Sequence, residues 1–70
     1  LDSNEHDENL ENKLEFLYAC LHKNFALGDK VLPKLQGTLT DLTTVNHNYN
    51  LYKLDPTSEY LTIMRDTLMK

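Results

Sequence analysis

One cysteine, two glycines, two prolines and no tryptophan deny this chain most of the devices that close a small fold. A lone Cys20 rules out an intrachain disulfide, and with it a disulfide scaffold. Cys20 and the histidines His6, His22 and His47 show no zinc-ligand or HExxH spacing, so no metal is expected. Gly28 and Gly37 are too few and too far apart to build a phosphate-cradling loop. No apolar run approaches the roughly 18 residues of a membrane span, and no signal peptide stands at the start. Seven asparagines occur without one Asn-x-Ser/Thr sequon. The chain opens on Leu1 rather than Met. These features read as a piece of a larger intracellular protein.

Basic charge is also scarce, with seven Lys+Arg against eleven Asp+Glu and a net charge of −4. Residues 1–15 carry a net −5 and residues 16–70 a net +1. The acidity therefore sits in a leading segment on a nearly neutral body. A basic nucleic-acid footprint is absent, and a neutral body resists association only weakly. At 70 residues a single core is barely sufficient. With disulfide and metal set aside, contact with another chain is the remaining route to stability.

What is present is leucine at helical spacing. Leu10, Leu14, Leu17 and Leu21 recur at four, three and four, with Tyr18 and Phe25 beside that seam. Phe16, Cys20 and Leu27 make a second apolar line. Together they cover about half the circumference, so this helix requires at least two packing surfaces. Residues 1–8 read as an acidic tail or frayed helix start, with Asp2, Ser3, Asn4 and Asp7 all able to cap. Gly28, just after Leu27, reads as the left-handed cap that ends helix one.

Pro33 suits the first turn of a second helix, from about 32 to 48, in which Leu32, Leu35, Leu39 and Leu42 repeat at three, four and three. Gly37 and the threonines oppose it, so it should be stable only when packed. The Asn-rich stretch 46–54 reads as a loop whose Leu51 and Leu54 cover the core. Asp55-Pro56, or Thr57, opens a third helix to about Leu68, with Tyr60, Leu61, Ile63, Met64 and Leu68 on one face. The expected fold is all-α: residues 9–70 form an antiparallel hairpin of two helices of about 18 residues plus a third helix. This small three-helix bundle would associate with further helices.

The candidate chemistry is thin. Cys20 and His22 lie about 160° apart on a helix and cannot act as nucleophile and base. Cys20 reads as a small buried apolar residue. The cluster Glu5, Asp7, Glu8 and Glu11 could hold a cation or a basic partner, but a solvated helix start explains it equally well. A helix-turn-helix reader would need basic groups on helix three, where Arg65 and Lys70 stand beside Glu59 and Asp66. Asn46 through Lys53, with Tyr49 and Tyr52, is the one stretch suited to nucleic acid. Asn24 and Asn46, in seam register, either specify pairing or mark helix ends.

The sequence thus points to a non-catalytic protein–protein interaction module, with no cofactor and no small-molecule substrate. Homo-oligomerisation would run through Leu14, Leu17 and Leu21, through Leu35, Leu39 and Leu42, and through Leu61, Met64 and Leu68. In the alternative, a helix of a different protein docks beside Phe16, Cys20 and Leu27. Direct nucleic-acid binding is a third and poorer match.

Overall fold

A computed structural model describes the backbone of residues 3–70 and the side chains from residue 8 onward. The candidate caps Asp2, Ser3, Asn4 and Asp7, and Glu5 and His6, lie outside the described side chains. Among the described residues the chain is all-helical, with α1 (Ser3–Leu21), α2 (Phe25–Val31), a 3-10 turn (Leu32–Lys34), α3 (Leu39–Leu54) and α4 (Ser58–Leu68). It measures 41 × 23 × 17 Å. The main neighbour pairs are α3 with α4 and α1 with α2, while α4 also touches α1.

Four helices replace the expected three because the breaks fall elsewhere. Helix one does not run to Leu27. It stops at Leu21, where Lys23 adopts the left-handed conformation (φ 56°). The Asn24 N–H then donates to the Ala19 carbonyl at 2.7 Å and the Lys23 N–H to the Cys20 carbonyl at 3.0 Å. That is the Schellman hydrogen-bond pattern, with lysine in the place usually held by glycine. Asn24 also opens α2, its side chain accepting the Leu27 N–H at 3.3 Å. Of the two readings of Asn24, the helix-end one is the observed one.

Gly28 is correspondingly no cap. It lies buried inside α2, where a Cβ would stand 2.5 Å from the Tyr49 hydroxyl. Helix two begins at Leu39 instead of about 32, because Pro33 sits in the 3-10 turn and Thr38 is the true cap. The Thr38 hydroxyl accepts the Asp41 N–H at 3.1 Å. The expected loop over 46–54 is helix through Leu54. Inside it the Asn48 amide donates to the Thr44 carbonyl at 2.8 Å, so its helix-opposing side chain is satisfied within the helix. Asp55 closes α3, its N–H donating to the Leu51 carbonyl, and Thr57 takes the N-cap position of α4.

The core is aromatic at its centre. The Tyr49 ring packs against Phe16 of α1 at 5.0 Å and edge-on to Phe25 of α2 at 6.2 Å. Phe25 also meets Tyr52 edge-on at 5.9 Å. Cys20, Val31, Val45, Met64 and Leu68 fill in around them. Both tyrosines bury their rings yet find acceptors for their hydroxyls, as buried phenols require. Tyr52 donates to the Cys20 carbonyl at 2.8 Å, and Tyr49 to the Asp29 carboxylate at 2.7 Å, with the Phe25 carbonyl at 3.1 Å. These two bonds tie α3 to the end of α1 and to α2.

Candidate interaction surface

The residues named from the sequence separate into an interior and an exterior set. Phe16, Cys20 and Met64 are fully sealed, and Leu35 and Leu68 are buried beside them. Leu17, Leu42 and Leu61 are partly buried against that core. Leu14, Leu21 and Leu39 are exposed, at 50%, 58% and 82%. The docking groove expected beside Phe16, Cys20 and Leu27 is therefore occupied by the chain's own aromatic core.

On α1 the two apolar lines take separate roles. The line through Phe16 and Cys20, joined by Ala19, faces inward. The leucine seam lies roughly 120° round the helix from it, and only Leu17 reaches the core. Leu10 at 42% exposure, Leu14, Tyr18 and Leu21 face outward as one apolar strip. Between residues 8 and 15 Asn9, Asn12 and Lys13 are half-buried, and Lys13 borders Asp41, Leu42 and Leu68 across a small cavity, while Leu10 and Leu14 stay on the outer side. Glu8, Glu11 and Glu15 are exposed on the same half of α1.

At its second half the strip borders a groove. Leu17 and Leu21 of α1 face Ser58, Leu61, Thr62 and Arg65 of α4 across an open cavity of about 260 Å³. Three of its six lining residues are leucines, and its rim carries Arg65, whose side chain is 61% exposed and, among the described residues, paired with its neighbour Asp66 at 3.1 Å. An exposed ion pair of this kind contributes little and leaves the guanidinium open to other carboxylates. Leu10, Tyr18 and Arg65 thus join the surface that the sequence assigned to Leu14, Leu17, Leu21 and Leu61. Leu10 and Tyr18 were visible on the seam. Arg65 was not, because only the approach of α4 brings it there.

The polar groups elsewhere serve the fold. Asp29 accepts from Tyr49 and pairs with Lys53 at 3.2 Å, while the Lys53 ammonium lies 4.8 Å from the Tyr49 ring centroid. The Tyr49 hydrogen bond, then Lys53, hold the Asp29 carboxyl below its ordinary range. Burial, then the Asp29 carboxylate, push the Tyr49 phenol up. Lys70, 2.9 Å from Asp41, lowers the Asp41 carboxyl. Burial pushes the Cys20 thiol up to about 12, which makes it a poor nucleophile at neutral pH. In the stretch 46–53, Asn48, Tyr49 and Tyr52 are buried, which removes the stacking face a nucleic acid would use. Among the described residues no group of three His, Cys, Asp or Glu could hold a metal ion. No described helix is long and apolar enough to cross a membrane.

No protein-family model, no curated protein and no solved structure matches the chain.

Proposed function

We propose that this chain is a non-catalytic association module of a larger intracellular protein, and that it associates with copies of itself through the outer leucine strip of α1. In this reading the α3–α4 pair and α1 form the bundle, and the strip takes further helices. The observation that carries it is the simultaneous exposure of Leu10, Leu14 and Leu21 on one helix face. Scattered surface leucines need no explanation, but an ordered strip beside an apolar groove is the kind of patch that marks an interaction site. The near-neutral body and the marginal size of the core favour the same reading.

The strip itself supplies the test. Leu14→Glu and Leu21→Glu place a charge on surface positions outside the core. They should keep the helical circular dichroism of the parent while eluting later than it from a sizing column at the same concentration. Equal elution of parent and variants at every concentration counts against the reading. Docking of a different protein's helix on the same strip is the second reading, favoured by the open groove between α1 and α4. It predicts a monomer whose partner is lost on Leu21→Glu.

A further inference from the structure

We draw no further inference here: the strongest candidate, the groove between α1 and α4 walled by Leu17, Leu21 and Leu61, is an apolar face on which nothing in the structure shows what covers it, since the Arg65 at its rim is already paired with Asp66.

Discussion

A Cβ added to Gly28 would stand 2.5 Å from the hydroxyl of Tyr49, closer than any real contact allows. Tyr49 cannot yield readily, because its ring is packed against Phe16 and Phe25 and its hydroxyl is bound to Asp29. Gly28→Ala should gain about 1 kcal/mol in helix propensity and lose more to overpacking, which costs about 1–3 kcal/mol. The expected net result is destabilisation of about 1 kcal/mol in urea unfolding. In a Tyr49→Phe background, where the obstructing oxygen is gone, the same substitution should cost distinctly less. Equal costs in the two backgrounds would show that the hydroxyl is not the obstacle.

Lys23 occupies a left-handed position that glycine takes without penalty. Its side chain is exposed and its backbone N–H already completes the motif with Cys20. Lys23→Gly should therefore raise stability by about 0.5–1 kcal/mol, even after the entropy that glycine adds to the unfolded chain. Thermal unfolding checks it, and a lower melting temperature than the parent would contradict the assigned geometry.

Tyr52 and Cys20 couple α3 to the end of α1 through one hydrogen bond of 2.8 Å. Tyr52→Phe keeps the ring and removes that donor. The Cys20 carbonyl retains the Lys23 N–H, so no acceptor is orphaned. The loss should be about 1 kcal/mol. A cost above about 3 kcal/mol would mean that the hydroxyl does more than bind this carbonyl.

Stability should fall at both ends of the pH scale, for opposite reasons. Asp29 and Asp41 are lowered by their partners below the ordinary 3.8, so the folded state favours their ionised forms. Their contribution is complete above that value and is lost as pH falls through the lowered ones. Cys20 is raised from 9.0 to about 12, so the folded state keeps its proton where the unfolded chain has lost it. That contribution is complete below pH 9 and declines as pH rises from there, by up to about 1.4 kcal/mol per pH unit. Urea unfolding between pH 8 and 11 should show a shallower decline in Cys20→Ala. Identical slopes would remove Cys20 as the source.

The all-α class was legible because the leucine spacing on α1 and the Asp55-Pro56-Thr57 entry to α4 are local signals. The division into four helices was not. It rests on Lys23 accepting a conformation lysine rarely takes, and on Asn24 serving two helices at once, neither of which has a compositional sign. A second seam, Leu42, Val45, Tyr49 and Tyr52 at three, four and three, was in the sequence all along. The asparagines at 46, 48 and 50 give it the look of a turn, and tyrosine is a good core residue only when something accepts from its hydroxyl. Here those acceptors come from residues 20 to 32 positions away. The same long-range packing decided which apolar line of α1 turned inward, and so which leucines were left outside.

Whether those leucines meet a second copy is read most directly from molar mass as a function of concentration. Sedimentation equilibrium of the unmodified chain should give 8.2 kDa at low concentration. It should then climb towards twice that value by roughly 100 μM, the range suited to a small interface. A mass that remains at 8.2 kDa up to millimolar concentration would contradict self-association through the leucine strip.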